Sequence, residues 1–312
     1  MSLGDKLKEN PFLPLFWMRS LILRKLIFPK MWKRGFRVLD EDWKCLIILD
    51  ACRYDFFERV YGEFIKEGRL ERRISLATET TSFLLRNFDG KYDDIVYVTA
   101  NPFVDELLKG RFHRIVPVWK YGWSEELGTV HPKKTYEYAL KALKRYGDKR
   151  LIVHFIQPHF PFITLRIEDD TFEELRNAVL EGRDPNIRNR RRSLGRISSL
   201  DLYVDVSRHV LEKAYESNLR IALPYVYRLM LFVHGRSIVT ADHGEAFGER
   251  LHRLIPIRVY GHPPDVPMKE LLEVPWLVFD NDEPLDLDKE LARIDEKKRD
   301  LKKVLSGLRS KL

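Results

Sequence analysis

Short segments made almost wholly of apolar and β-branched residues recur along this chain, and they limit its fold more than any other feature. The clearest are residues 44–49, 151–155 and 237–240. Apolar runs of this length are typical of strands that are buried on both faces of a parallel sheet. Segments with apolar residues at helical spacing lie between them. The alternation predicts an α/β fold: a mainly parallel central sheet with helices on both faces.

The other predicted elements continue this alternation. Further strands are predicted at residues 72–76, 95–99, 115–119 and 274–279, and helices at residues 53–66, 80–88, 135–146 and 202–233. Pro224 indicates a kink or a junction within the last of these helices, since proline interrupts helical hydrogen bonding. Residues 241–264 are predicted to form a loop.

The length of 312 residues, 44% of them hydrophobic, is ample for one large α/β domain with short extensions, or for two small domains. We expect a main domain over residues 36–285, preceded by a basic, aromatic extension at residues 1–35. Residues 166–201 interrupt the pattern as an Arg-rich insertion. Residues 286–312 are predicted to form a charged helix, which either docks on the domain or pairs with another chain to form an oligomer.

The formal net charge of +8 favours anionic partners: phosphate esters, an anionic membrane surface or nucleic acid. No nucleic-acid-binding motif accompanies the charge, so nucleic acid is not the expected partner. Charged residues make up 33% of the chain, and Gln157 is its only glutamine. Such a composition is typical of thermophilic proteins.

Residues 10–32 are rich in Phe, Leu, Ile and Trp and are punctuated by basic residues. Such a segment either lies on a membrane as an amphipathic element or packs as a helix on the protein's own core. It lacks the small-residue cleavage site of a signal peptide, and no run in the chain reaches the length of a transmembrane helix. The expected location is therefore cytoplasmic, with peripheral membrane contact through this segment as an option.

The two cysteines support the same compartment. Cys45 lies in a predicted strand and Cys52 just beyond its end. This placement argues against a disulfide between them, which is consistent with a reducing interior.

An acid and a histidine stand side by side where the strand at residues 237–240 ends. Asp242 and His243 fall at the carboxyl end of that strand, which is where open α/β sheets bind their ligands. Both are good ligands for Zn or Mn, and Gly244 allows the backbone to turn tightly beside them. The alternative is that Asp242 only caps a following helix and that His243 lies on the surface.

Residues of the same chemical types follow the other predicted strands. They are Asp50, Thr78, Thr80, His154, His159 and His262. Because the carboxyl ends of parallel strands meet at one edge of a sheet, these side chains are expected to converge. Two aspartates, several histidines and a hydroxyl group at that edge predict a site for metal-assisted ester cleavage.

Four segments resemble the sulfatase-like branch of the alkaline phosphatase superfamily. The likeness is closest to the metal-dependent phosphoethanolamine transferases and more distant to the lipoteichoic acid synthases. It covers residues 44–280 in order. The segment DACRYD, which begins at Asp50, is similar to the family's Glu-Thr-Ala-Arg-Ala-Asp. ATET, which ends at Thr80, looks like its Gly-Thr-Ala-Thr, and HFIQPHFP from His154 resembles its paired-His segment. DHGEAFGE from Asp242 is close to its DHGESLGE, and His262-Pro263 and Val274-Pro275 parallel its later His and Val-Pro.

The resemblance implies a role for each matching residue. Asp50, Asp242 and His243 would hold a divalent cation, Zn or Mn, in a site for one or two ions. Thr80 would be the nucleophile and contact the metal, with Thr78 as its rival. The remaining implied contacts are those of His154, His159 and His262 with the transferred group or a second cation, and of Arg53 with the first carboxylate or the substrate's charge. Helix amides after Thr80 would help to hold the phosphoryl oxygens.

Plainer readings stay open for several of these residues. Asp50 or Thr80 would then only cap a helix, and His154 would be a core histidine. The arginines of the 166–201 insertion would form a solvated loop. Glu245 and Glu249 are interpreted as structural acids that do not bind the ion directly.

The expected function is a metal-dependent phosphoester hydrolase or phosphotransferase with a threonine nucleophile. The Cys/Ser-x-Pro-x-Arg motif of true sulfatases is absent around Thr80, but a sulfate-ester hydrolase that works with a plain threonine is an alternative. The other alternative is a non-catalytic member whose basic surface binds membrane or nucleic acid. The chain lacks the transmembrane helices of the lipid A transferases, so lipid A is not implied as the substrate.

Overall fold

The computed structural model describes residues 35–165, 206–252 and 255–309, together with Leu180. The strands are β1 (Cys45–Leu49), β2 (Arg69–Ile74), β3 (Tyr92–Thr99), β4 (Phe112–Pro117), β5 (Trp123–Ser124), β6 (Thr129–Val130), β7 (Arg150–Phe155), β8 (Gly235–Thr240), β9 (Ala246–His252), β10 (Ile255–Gly261) and β11 (Glu273–Asn281). The α-helices are α1 (Tyr54–Val60), α2 (Thr80–Asn87), α3 (Pro102–Leu107), α4 (Val118–Tyr121), α5 (Pro132–Arg145), α6 (Arg208–Met230), α7 (Lys269–Leu272) and α8 (Leu287–Arg309). Short 3₁₀ turns lie at Val38–Asp40 and Tyr61–Glu63.

Seven strands form the main sheet, in the order β2-β11-β8-β1-β7-β3-β4. The five strands from β8 to β4 run parallel, and β11 pairs antiparallel with both β8 and β2. Strand β1 is in the middle, and all five of its residues are buried, as a continuous apolar run predicts. The predicted α/β class and mainly parallel sheet are confirmed.

Helices cover both faces of this sheet. Successive side chains of β1 point to opposite faces, so Ile47 joins a hydrophobic cluster with residues of α1, α5 and α6. Leu46 and Ile48 instead join a second cluster, which includes Phe83 and Leu84 of α2. These two clusters pack the central strands against the helices on each face of the sheet.

Most predicted elements are present with shifted ends, but the loop predicted at residues 241–264 is wrong. Strands β9 and β10 form an antiparallel hairpin there. Its period-2 pattern is hard to recognise because Gly248, Glu249 and Arg250 follow one another in the middle of β9 and because the pairing register shifts twice. The strand predicted at 115–119 ends at Pro117, where α4 begins, and α6 continues through Pro224.

Helix α8 docks on the domain. The carboxylate of Glu290 is buried and accepts hydrogen bonds from the Tyr136 hydroxyl at 3.0 Å and the Arg228 guanidinium at 2.9 Å. Further along the helix, Lys298 pairs with Glu137 at 2.7 Å. The N-terminal extension at 1–35, apart from residue 35, and the 166–201 insertion, apart from Leu180, lie outside the described residues.

Within the described residues, no helix combines the length and the apolar character that crossing a membrane requires.

The two cysteines provide a test of the core. Both are free thiols and are fully buried, and burial raises the pKa of Cys45 to about 12 and also raises that of Cys52. We therefore expect neither thiol to react with a maleimide in the native protein at pH 8, because reaction requires an accessible thiolate. Both should react after denaturation, as counted by mass spectrometry. Labelling of one thiol in the native state would contradict this packing.

Candidate active site

The carboxyl ends of β1 and β8 bring Asp50, Asp242 and His243 together. The two strands are parallel neighbours, paired from Cys45–Ser237 to Ile48–Thr240, so their following residues meet at one edge. All three side chains are buried, and one ligand atom from each lies within 4.8 Å of the others. Nε2 of His243 is 3.3 Å from Oδ2 of Asp242 and 3.9 Å from Oδ1 of Asp50. The predicted convergence of these three residues is what the structure shows.

Thr80 reaches the same point from the start of α2. Its Oγ1 donates a hydrogen bond to Oδ2 of Asp242 at 2.7 Å and lies 3.2 Å from Nε2 of His243. The rival hydroxyl, that of Thr78, instead donates to the carbonyl of Pro263 at 2.9 Å. Of the two threonines, Thr80 is therefore the one that the structure joins to the acid and histidine group.

The N-terminus of α2 is capped by Glu79 and not by Thr80. The Glu79 carboxylate accepts from the backbone amides of Thr81 at 3.0 Å and Ser82 at 2.8 Å. The plainer reading of Thr80 as a helix cap is thus wrong. The same contact corrects the expectation that these amides would hold phosphoryl oxygens, since a carboxylate already occupies them.

His154 lies at the end of β7, beside the two aspartates. Its Nε2 is 3.7 Å from Oδ2 of Asp50 and 4.0 Å from Oδ2 of Asp242, and it makes no hydrogen bond to any described residue. On its other side, Nδ1 is 3.1 Å from the hydroxyl of Tyr97. Burial lowers the pKa of His154 to about 4, and the Asp242 carboxylate opposes this shift only in part, so the ring is neutral at pH 7. A buried, neutral nitrogen that faces two carboxylates has the character of a metal ligand.

Asn101 belongs to this group, although the sequence analysis missed it. Its Nδ2 donates to Oδ2 of Asp50 at 2.7 Å, and its Oδ1 caps α3 through the amide of Phe103. The rule that found Asp50 would also have found it, because Asn101 follows the end of β3 as a polar residue. Burial and the nearby Asp242 raise the pKa of Asp50. Among the described residues, the ion-pair partners of Asp50 and Asp242 are histidines.

His159, Glu245 and His262 form a second group with ligand atoms within 4.8 Å of one another. The Glu245 carboxylate is 3.3 Å from Nδ1 of His262 and 3.8 Å from Nε2 of His159. Glu245 is buried, whereas the His262 side chain is 31% exposed, so the group opens toward solvent on the His262 side. Glu245, interpreted from the sequence as a structural acid, therefore stands among the candidate ligands.

The two groups of candidate ligands are adjacent, with the ring of His262 between those of His243 and His159. The ring centroids of His243 and His262 are 4.6 Å apart, and those of His159 and His262 are 4.9 Å apart. Burial, followed by His262, lowers the pKa of His243 to about 3 and also lowers that of His159. Burial opposes charge on His262 as well, but the Glu245 carboxylate raises the pKa of that ring. The His262–Glu245 pair is thus the one place in the second group where a charged histidine is stabilised.

The structure places Arg53 away from the first carboxylate, in contrast to the expectation from the resemblance. Its guanidinium donates to Asp55 at 2.7 and 2.9 Å, to Oε1 of Glu249 at 2.7 Å and to the carbonyl of Glu245 at 3.1 Å. With these contacts and a side chain that is 7% exposed, Arg53 ties α1 to β9, and a contact of this residue with the substrate's charge stays a prediction. Glu249 is the structural acid that the sequence analysis expected, because it also accepts from Arg208 at 3.0 Å.

No protein-family model matches the chain, and neither does any curated protein sequence. Solved structures do resemble it. One is the C-terminal periplasmic domain of EcEptC from Escherichia coli in complex with Zn, at 12% identity over 77% of this chain and 72% of that one, with a TM-score of 0.45. A second is a protein of the alkaline phosphatase superfamily from Vibrio parahaemolyticus, at 14% identity over 80% and 61%, with a TM-score of 0.42. A third is the lipoteichoic acid synthase LtaP from Listeria monocytogenes, at 9% identity over 81% and 71%, with a TM-score of 0.39.

Gly244 provides a test of how the site is packed. A Cβ atom at this position would lie 2.0 Å from the carbonyl oxygen of Glu270, so the backbone between Asp242 and Glu245 would have to move. We expect Gly244→Ala to lower the free energy of unfolding by about 1–3 kcal/mol or more, the usual cost of overpacking. It should also weaken binding of zinc.

Gly62→Ala is the matched control, because a Cβ there meets nothing within 4 Å. Urea unfolding and zinc titration of both variants provide the comparison. Equal stability and equal zinc affinity in the two variants would contradict the packing argument.

Proposed function

We propose that this protein is a metal-dependent phosphoester hydrolase or phosphotransferase that uses Thr80 as its nucleophile. The observation that supports this most directly is the position of the Thr80 hydroxyl. It is 2.7 Å from the Asp242 carboxylate and 3.2 Å from His243, within a buried group of two acids and two histidines. The hydroxyl of Thr80 is therefore held by its hydrogen bond to Asp242, directly beside the side chains that would activate it.

The donor set fits a divalent cation. Asp50 and Asp242 are buried close together, and two buried carboxylates are costly unless positive charge compensates them. The unbonded Nε2 of His154 faces both of them, and Nε2 of His243 lies beside them. A mixture of carboxylate oxygen and imidazole nitrogen suits Zn or Mn. A cation held there would lower the pKa of the threonine hydroxyl and polarise the ester oxygens.

The chain's own residues account for the proposed reaction. Oγ1 of Thr80 attacks phosphorus, so that a new P–O bond forms as the bond to the leaving oxygen breaks. The hydroxyl proton leaves along the hydrogen bond that Thr80 donates to Oδ2 of Asp242. Where the second group contacts the transferred phosphoryl group and binds no cation, the leaving oxygen takes a proton from His262, whose pKa is raised by Glu245. Water or an acceptor hydroxyl then attacks phosphorus and loses its proton to that histidine, while the P–O bond to Thr80 breaks and the Thr80 oxygen recovers its proton from Asp242.

His159, Glu245 and His262 would serve the same reaction from the second group. They would either bind a second cation or contact the transferred phosphoryl group, and the number of bound ions distinguishes these roles. The partial exposure of His262 puts this group on the side from which a substrate would arrive. Thr80, His159 and His262 therefore remain the proposed catalytic residues, and Asp50, Asp242 and His243 the proposed metal ligands.

Substitution of the two threonines tests the nucleophile. Thr80→Val keeps the shape of the side chain but removes the hydroxyl, and we expect kcat/KM on aryl phosphate mono- and diesters to fall by roughly 10³-fold or more. Thr80→Ser should retain part of the activity. Thr78→Val, the matched substitution, should stay within about tenfold of the wild type because that hydroxyl contacts Pro263. The reverse pattern would assign the reaction to Thr78. Aryl sulfates assayed in parallel test the sulfate-ester alternative.

Removal of metal tests the cation. Dialysis against a chelator should abolish turnover, and Zn or Mn should restore it. Because an ion bound only by the folded state stabilises it by about 2.7 kcal/mol at 100 times its Kd, the melting temperature should rise on reloading.

Asp242→Asn should lose this rise, whereas His262→Ala should lose at most one ion per chain by elemental analysis. Full turnover in chelator, with no bound metal in the purified protein, would refute the proposal.

A further inference from the structure

Helix α6 presents two buried polar side chains to the loops that carry residues of both ligand groups. Tyr215 and Asn218 are both fully buried, and their spacing of three residues puts them on one face of the helix. Each makes its hydrogen bonds to a different loop at the carboxyl edge of the sheet. Neither residue was singled out from the sequence, since a lone tyrosine or asparagine inside a helix carries no local signal.

Tyr215 holds the loop that follows Asp50. Its hydroxyl donates to the carbonyl of Ala51 and accepts from the amide of Arg53 at 2.8 Å. Ala51 has a φ of 57°, a left-handed conformation that residues other than glycine adopt only where neighbours maintain it. The amide of Ala51 in turn donates to Oδ1 of Asp242 at 3.0 Å. Tyr215 therefore stabilises the strained turn that links the two carboxylates.

Asn218 holds the loop that carries His159. Its Nδ2 lies 3.1 Å from the carbonyl of His159, 3.0 Å from that of Pro161 and 3.4 Å from that of Pro158. Its Oδ1 accepts from the amide of Ile163 at 2.8 Å. The two N–H bonds of Nδ2 serve the two nearest carbonyls, those of His159 and Pro161, so together with Oδ1 one side chain satisfies three backbone groups of a single loop. Such a buried contact fixes the direction in which His159 points.

We propose that Tyr215 and Asn218 are positioning residues, one for each ligand group. Tyr215 sets the geometry of Asp50 and Asp242, and Asn218 sets that of His159. The inference rests on the proposed function of the site and adds to it which buried side chains keep the two groups in place. Outer partners that orient metal ligands in this way commonly change metal affinity or activity by about 10- to 100-fold when they are removed.

The test uses two variants that keep the branching of the side chain but remove its polar atoms, Tyr215→Phe and Asn218→Leu, in the full chain. Their matched controls are Tyr227→Phe on the same helix and Asn281→Leu. Asn281 donates to the carbonyls of Met230 and Leu231, and it pairs with Gly235 at the opposite end of β8. A purely structural role for Tyr215 and Asn218 predicts that variants and controls behave alike.

The first measurement is the zinc affinity and kcat/KM of the folded proteins. Tyr215→Phe should weaken the ion held by the Asp50 group by about 10- to 100-fold. Asn218→Leu should leave that ion within about threefold of the wild type and lower kcat/KM by about 10- to 100-fold. If the two variants lower the melting temperature but match their controls in zinc affinity and turnover, the inference is overturned.

The second measurement is amide hydrogen exchange in the chelated protein, which does not depend on ion binding or activity. Tyr215→Phe should speed exchange at the amide of Arg53, and Asn218→Leu at that of Ile163, each by tenfold or more relative to its control. Wild-type protein that neither binds zinc nor cleaves esters would defeat the proposed function, and exchange would still decide whether these side chains hold the loops. Unchanged exchange at both amides would defeat the inference alone. Asn218→Ser replaces Asn218→Leu if the latter does not fold.

Discussion

The closeness of two buried carboxylates, Asp50 and Asp242, is the constraint on which the rest of the structure depends. It follows from the parallel pairing of β1 with β8, which ends both strands at one level. Burial disfavours two like charges in contact, so the neighbouring groups must offset that cost. Asn101 and the amides of Ala51 and His243 donate to these carboxylates. The remaining oxygen positions face histidines and the Thr80 hydroxyl.

The sheet and the helices contribute to the site in different ways. The ends of the parallel strands position the aspartates and His243, and α6 hydrogen-bonds to the loops that follow Asp50 and carry His159. The charged contacts of Arg53 with Asp55 and Glu249 connect the first loop to the β9–β10 hairpin. Arg53, for which the resemblance implied a contact with the first carboxylate or with the substrate, joins two loops of the site in this structure. The chain's excess of basic residues therefore does not by itself describe the surface that a substrate meets, because some of these residues are engaged in internal contacts.

Sequence reasoning was sufficient where the decisive physics is local. The apolar runs predicted the central strands, and the rule that polar residues follow parallel strands predicted the meeting of Asp50, Asp242 and His243. It was insufficient where the outcome depends on contacts between distant segments. The side chain of Glu245 turns toward His262 only because the β9–β10 hairpin brings that residue back. The roles of Tyr215 and Asn218 likewise depend on how α6 crosses the sheet, which no local pattern encodes.

Within the DHGE motif, packing explains the glycine at position 244, whereas the proposed chemistry explains Asp242 and His243. The carbonyl of Glu270 leaves no room for a side chain at this position, whatever chemistry takes place beside it. A descendant of this protein that had lost its ligands but kept its fold would still need glycine there. Across diverged sequences, the glycine of DHGE therefore reports on inherited packing. The aspartate and histidine before it are the positions whose retention would report on selection for activity.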